Sequence, residues 1–331
     1  MPSRSSPMSE ALARISRGAC AAALLAVAGC AHVPPSHPDA FAFAVMGDTQ
    51  YNAGEERAFV AMLEGVSRED LAFVVHVGDF LAGTSCGDEI YAQRRREFDA
   101  SAHPFIYTPG DNEWVDCRNK RRGGRDPAER LAKLREVFFA DRWSLGRKRL
   151  ETFAQDRCLD PAPMGCPCAA HPENRFWSRS RVRFVTLNVP GSENNTGYAD
   201  GEEEARCRNE ANAAWLERAV SLSERSETRA LVILFQANPW DSRRGAYGAL
   251  LRQIEDAARR LRKPVLLVHG DTHNQRVDAP FVDWLGNPVP GLTRLETFGS
   301  PFLGWVKVTV DPDDPNVFRF EPRLHALVPP N

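Results

Sequence analysis

Four apolar runs in this chain end in the same dipeptide. Ala44-Val-Met-Gly-Asp48, Val74-Val-His-Val-Gly-Asp79, Ile106-Tyr-Thr-Pro-Gly-Asp111 and Leu267-Val-His-Gly-Asp271 each carry Gly-Asp where a buried strand would stop. Glycine lets the chain turn sharply there, so the following carboxylate is held on a short, rigid loop. One Gly-Asp is only a turn, and Gly87-Asp88 is read that way. Four demand more. Ligands of open α/β sheets bind at the carboxyl ends of the strands. Four carboxylates gathered at one such edge repel one another unless a cation neutralises them.

The rest of the chain supplies the scaffold this requires. Strand-like runs at Phe41–Met46, Leu71–Val77, Pro104–Thr108, Arg183–Val189, Ala230–Phe235 and Val265–Val268 alternate with helical patterns. The helices are expected over Glu55–Val66, Ile90–Ala100, Ala128–Phe139, Glu204–Ser223 and Ala246–Leu261. Such alternation predicts an α/β protein. The tail predicts strands only, at Leu292–Thr297, Gly304–Val310 and Val317–Phe320. Residues 116–126 and 156–173 are expected to be loops or ordered insertions.

The N-terminus reads as an address. Arg4, Arg14 and Arg17 precede the apolar run Ala19–Val27, and Val27-Ala28-Gly29-Cys30 follows at a cleavage-like position. Such an arrangement predicts a secretory signal over residues 1–29, with an apolar run too short to span a membrane comfortably. The final tetrad resembles the bacterial lipobox, which implies cleavage before Cys30 and its lipidation; an ordinary cleaved signal is the alternative. Ala31 in place of Asp favours the outer membrane by the same resemblance. Residues 30–40, with HVPPSHPD, read as a proline-rich tether, and residues 41–325 as one domain. The chain carries a formal net charge of −2, and the signal takes three arginines and one glutamate with it. That balance argues against a nucleic-acid partner. Beyond the anchor, no apolar stretch suggests contact with a membrane.

Of the eight cysteines, six lie beyond Cys20 and Cys30. An even number in an exported chain predicts disulfides. Cys86 and Cys117 follow Asp79 and Asp111 closely, so both belong to loops at the same sheet edge and are predicted to pair. Cys158, Cys166, Cys168 and Cys207 are left for two further bonds of open connectivity. Cys166-Pro-Cys168 could bind metal instead, although its spacing does not match a zinc knuckle.

Taken in order, Gly47-Asp48-Thr49-Gln50, Gly78-Asp79, Gly110-Asp111-Asn112-Glu113 and Gly270-Asp271-Thr272-His273 resemble the calcineurin-like metallophosphoesterases. That family carries D-x-H, G-D, G-N-H-D/E, an H-x-P-like segment and G-H-x-H at comparable intervals. The resemblance covers roughly residues 41–310. It implies a sandwich of two mixed β-sheets flanked by helices, with two divalent metal ions at the strand ends. It implies Asp48, Asp79 and His273 as unaltered ligands, with Asp79 bridging. Gln50, Asp111 and Asp271 stand where the family has His, Asn and His. In Leu234-Phe-Gln-Ala-Asn-Pro-Trp240 the ligand position falls to Gln236, with Asn238 as competitor. Asn112 replaces the histidine that assists the transition state. Oxygen donors thus replace nitrogen donors almost throughout, which favours Mn, Fe or Mg over Zn.

The resemblance implies hydrolysis of a phosphate ester at the bacterial envelope. Asn112 can donate a hydrogen bond but no proton, so either the leaving group needs little help or His103, His269 or Glu113 supplies the proton. His76 and His103 otherwise read as packed residues. Arg118, Arg121, Arg122 and Arg125 read as a solvated charge run that could also attract phosphate. Asn188 reads equally as a cleft or a turn residue. The alternative function is a metal-binding scaffold lipoprotein that kept the fold and lost turnover.

Overall fold

The computed structural model describes residues 37–82, 86–167, 169–282 and 285–328. The expected signal, Cys30, most of the tether and Cys168 lie outside the described residues. Two mixed sheets face each other. The first has five strands in the order β12-β11-β1-β2-β3, from Phe318–Leu327, Phe302–Val310, Phe41–Met46, Val74–His76 and Phe105–Tyr107. The second has seven, β4-β5-β6-β7-β8-β10-β9, from Phe153–Gln155, His171–Arg179, Val182–Thr186, Ala230–Leu234, Val265–His269, Leu292–Glu296 and Arg276–Asp278. Helices α1 (Ala53–Val66), α2 (Asp88–Asp99) and α3 (Pro127–Phe138) cover the first sheet, and helices Glu202–Ser223 and Gly248–Leu261 cover the second.

Strand alternation builds this layering. In β1, Ala42, Ala44 and Met46 pack toward α1 and α2, while Phe43 and Val45 point between the sheets. The inner layer gathers Phe43, Phe73, Trp177 and Phe184; Phe43 stacks on Phe73 at 5.1 Å, and Phe184 meets Phe73 edge-on at 5.1 Å. Local signals start the helices. Asn52 caps α1 by accepting from the N–H groups of Gly54 and Glu55, and Asp126 caps α3 with Pro127 at its first turn.

β1, β2 and β3 run parallel, as do β6, β7, β8 and β10. Their carboxyl ends therefore lie on common edges. One strand differs from expectation: β5 begins inside the segment read as a loop and runs to Arg179. Its sequence HPENRFWSR looks solvated, yet Glu173, Asn174 and Arg175 are buried. Arg135 pairs with Glu173, Gln155 and Asn212 accept from Asn174, and Thr152 accepts from Arg175. A polar network that satisfies itself underground imitates a loop in sequence. Cys86 and Cys117 are disulfide-bonded, as are Cys166 and Cys207, and Cys158 is disulfide-bonded too. Among the described residues no helix is long and apolar enough to cross a membrane.

Candidate metal centre

Asp48 follows β1, Asp79 follows β2, Asp111 follows β3, and Asp271 and His273 follow β8. The two sheets meet through these loops. The Asp271 N–H donates to Asp48 Oδ1 at 2.8 Å, and Gln236 Nε2 donates to Asp79 Oδ2 at 3.2 Å. The glycines permit this chiefly by close approach. A Cβ at Gly110 would run into Asp79 Oδ1, one at Gly270 into Asp48 Oδ2, and one at Gly47 would stand 2.6 Å from Val77 Cγ2. Only Gly78 of the four turns with positive φ, at 104°. Instead the functional residues themselves take the left-handed region: Asp48 at 51°, Asp79 at 61°, Asp271 at 78° and His273 at 59°. Non-glycine residues in that region are strained, and such strain clusters at functional sites.

Asp48, Asp79 and Asp111 are buried, and among the described residues no lysine or arginine pairs with them or with Asp271. Burial pushes the Asp48 and Asp79 carboxyls well above the usual range, and the neighbouring carboxylates push them further. Burial and then Asp271 raise Asp111 to about 7; burial raises Asp271 to about 6 against donors from Asn238 and Gln236. Several oxygens have no partner at all. Asp48 Oδ2, Gln50 Oε1 and Asp111 Oδ1 are buried without a hydrogen bond. Gln50 is oriented by its own Nε2, which donates to Glu97 Oε2 at 3.0 Å and leaves the carbonyl oxygen free.

His273 completes the set. Its Nδ1 lies 2.7 Å from the Ser300 carbonyl, which can only accept, so the proton sits on Nδ1. Nε2 then keeps its lone pair and faces Tyr51 Oη at 3.3 Å and Asp48 Oδ1 at 3.8 Å. Burial lowers the His273 pKa and favours the neutral ring. Partnerless buried oxygens, an inward lone pair and carboxylates without basic partners fit divalent cations. The carboxylates do not collapse onto one point. Among the described residues, the three-residue group of His, Asp, Glu or Cys with ligand atoms within 4.8 Å is His37, Asp311 and Asp313, and there Arg181 pairs with Asp313. The buried cluster mixes amide with carboxylate oxygens and spreads over two sheets.

The other expected residues take different places around the cluster or away from it. Asn112 lies in the cluster: its N–H and Nδ2 donate to Asp79 at 3.1 and 2.9 Å. Gln236 is also there, but its oxygen accepts from Gly191 N–H at 2.6 Å, so its amide nitrogen is what faces Asp79 and Asp271. As oriented it is a donor to carboxylates rather than a cation ligand. Asn238 supports Asp271 through its backbone N–H at 2.8 Å. Asn188 is buried and donates to Glu173, a strand-network role rather than a turn. His103 requires correction. It precedes β3, whereas Asp111 follows it, so it lies at the opposite end of a parallel strand and cannot serve the cluster. His76 and His269 are buried, each with its pKa lowered to about 3 by burial, and read as neutral packed rings. Glu113 accepts from Phe80 and Gly110 N–H at 2.7 and 3.0 Å; it ties the second and third loops together. Arg118 packs over Tyr198 and pairs with Asp200, while Arg121 and Arg125 are exposed.

Three further contributors carry no motif of their own in the sequence. Tyr51 Oη lies 3.3 Å from Asp79 Oδ2, and Asn112 Nδ2 donates to it at 3.3 Å; adjacency to Gln50 was the available signal. Gly299 backs the site, since a Cβ there would stand 2.6 Å from the His273 ring and 2.8 Å from Asp48 Cβ. Ser192 sits between acids, with Oγ 2.5 Å from Asp111 Oδ2 and 2.8 Å from Asp116 Oδ1. It belongs to a left-handed turn in which Ser192, Glu193, Asn194 and Asn195 have φ of 47°, 55°, 57° and 63°. Each such non-glycine residue costs about 1–2 kcal/mol.

A two-sheet sandwich whose strand ends gather buried, unneutralised carboxylates defines the class as a metallophosphoesterase fold. The profile of the calcineurin-like phosphoesterase family matches residues 41–275, and the chain belongs to that family. Among solved structures, a dimetal phosphatase from Danio rerio is similar at 15% identity, covering 86% of this chain and 96% of that chain, with a TM-score of 0.52. A protein serine/threonine phosphatase from Saccharomyces cerevisiae is similar at 13% identity over 89% and 82% of the two chains, with a TM-score of 0.35. Vps29 from Entamoeba histolytica is similar at 10% identity over 86% and 99%, with a TM-score of 0.32. No curated protein matches the sequence.

Proposed function

We propose that this chain hydrolyses a phosphate mono- or diester at the bacterial envelope, using two divalent cations held by Asp48, Gln50, Asp79, Asp111, Asp271 and His273. Family membership supports metal-dependent phosphoester hydrolysis in general. The observation that carries the site assignment is the set of buried, partnerless oxygens on Asp48, Gln50 and Asp111 beside the inward lone pair of His273. Divalent cations bound there would lower the pKa of water and neutralise phosphoryl oxygens. The oxygen-rich donors favour Mn, Fe or Mg over Zn.

The chain's own groups complete the chemistry. Asn112 and Gln236 orient Asp79 by donating to it, and Asp48 is fixed by the Asp271 N–H. Burial and then the surrounding acids raise the Tyr51 pKa, and its phenol O–H faces Asp79 at 3.3 Å. An open cavity of about 510 Å³, lined by Asn238, Trp240, Thr272, Asn274 and Arg276 among others, borders the Asp271 loop and offers room for the organic part of an ester. A cavity of about 480 Å³ along Phe153–Asp160 has no such neighbour and carries no functional weight. The disulfides and the lipobox-like N-terminus support an exported lipoprotein.

One observation favours a second reading, a metal-binding scaffold without turnover: Asn112 has no proton to give where the family has histidine. Purified mature protein would be analysed for bound metal and assayed on nitrophenyl phosphate mono- and diesters with Mn²⁺, Mg²⁺, Fe²⁺ and Zn²⁺. Turnover abolished by Asp79→Asn is the expected result. Metal binding with no turnover on either ester would favour the scaffold, and no metal binding would exclude both.

A further inference from the structure

The turn Ser192–Asn195 is a strained element with no glycine at its four positive-φ positions. Its neighbours hold each residue in place. Glu193 accepts from Ser242 Oγ at 2.6 Å and from Arg243 N–H at 2.8 Å, both in the segment before helix Gly248–Leu261. Asn194 receives Arg208 Nη1 on its side chain at 2.6 Å and Nη2 on its carbonyl at 3.0 Å, and its N–H donates to Tyr247 Oη at 3.0 Å. Asn195 donates to Glu204 at 2.8 Å and accepts from Arg118. Anchors from helix Glu202–Ser223, the loop over 242–247 and the 3-10 turn Val115–Arg118 converge on four residues. Backbone strain persists only where the surroundings over-determine it, and this pattern points to a function for what the turn presents.

What it presents is Ser192 and, just before it, Gly191. Ser192 Oγ binds Asp111 Oδ2 at 2.5 Å, while Asp111 Oδ1 is buried with no hydrogen bond. A Cβ at Gly191 would stand 2.8 Å from both Asp111 Oδ1 and Asp271 Oδ1, so these two acids face one small space that only glycine leaves open. We propose that the Gly191–Asn195 turn shapes one of the two cation positions: Ser192 is a positioning residue that locks one oxygen of Asp111 and turns the other toward Asp271. This rests on the metal-dependent function proposed above and adds a determinant outside its ligand set.

The test is Mn²⁺ binding by titration calorimetry on the folded chain, alongside the melting temperature of the chelator-treated protein. Wild type is expected to show two binding events. Ser192→Ala should weaken one of them on the order of 10–100-fold, the usual effect of losing a group that orients a ligand, and leave the other unchanged. Ser192→Gly should do the same while holding or raising the cation-free melting temperature, because glycine relieves the positive φ. A purely structural turn could not separate the two readouts. Glu193→Ala, which touches no acid of the site, should weaken the same event by loosening the turn. If both Ser192 variants bind as wild type does, the positioning role fails and the proposed function stands. If wild type binds none of Mn²⁺, Mg²⁺ and Fe²⁺ in the same titration, both fail.

Discussion

At the scale of single residues, the site is built from close approach. Gly270 packs against Asp48 so tightly that Gly270→Ala should displace the carboxylate. Mn²⁺ affinity should then fall on the order of 10–100-fold, with about 1–3 kcal/mol of overpacking seen in chemical denaturation. Wild-type affinity in that variant would show that the two loops are free to part. Tyr51→Phe removes the hydroxyl that touches Asp79, Asn112 and His273 while keeping the ring. A loss in kcat of about 10–100-fold with the fold intact is expected from the loss of such an orienting group, measured on the better nitrophenyl ester. Much of this was legible locally, because Gly-Asp after an apolar run is a four-residue signal. His103 is close to Asp111 in sequence but β3 lies between them, and that separation removes it as a proton source. Gln236 lies in the cluster but not as the ligand its sequence position suggests, because the orientation of its amide depends on Gly191, 45 positions away.

Elements brace what residues place. The Cys86–Cys117 bond closes a 31-residue span and joins the segment after β2 to the 3-10 turn Val115–Arg118, which holds Asp116 beside Ser192. Chain-entropy arguments give such a crosslink about 3–4 kcal/mol. Cys86→Ala with Cys117→Ala should therefore lower stability by that amount in urea denaturation, and an unchanged midpoint would show the loops are braced by other means. The left-handed turn was invisible in sequence, since nothing in Ser-Glu-Asn-Asn demands positive φ. Its anchor Tyr247 lies 53 positions away, and Arg208 reaches it only because the helix Glu202–Ser223 folds back over the turn. β5 was missed for the opposite reason: its polar residues signal solvent, and only the packed network shows where they go.

Across the whole molecule the buried acids set the pH response. The folded pKa values of Asp48, Asp79, Asp111 and Asp271 are raised, which means folding favours their protonated forms. Their stabilisation is present at low pH and is lost as pH rises through about 6 for Asp271 and about 7 for Asp111. Glu173 acts oppositely: burial would raise it, but Arg135 carries it down to about 2, so its contribution is complete above the unfolded value of 4.5 and lost as pH falls. The cation-free protein should therefore lose melting temperature between about pH 5 and 7.5. Saturating Mn²⁺ should remove that decline, adding about 2.7 kcal/mol per site at a hundredfold excess over Kd. A chelator-treated protein whose melting temperature rises over this interval would contradict the carboxylate cluster as described.

The sequence by itself determined the α/β alternation, the two classes of strand face and the four carboxylate loops, because each depends on neighbours two to five residues apart. It also carried the family motif order from Asp48 to His273. Tertiary structure alone decided which ends of the strands meet and that Gln236 offers nitrogen rather than oxygen. It also decided that Ser192 is pressed against Asp111. Those depend on contacts across two sheets, where the geometry of one loop is set by hydrogen bonds from another.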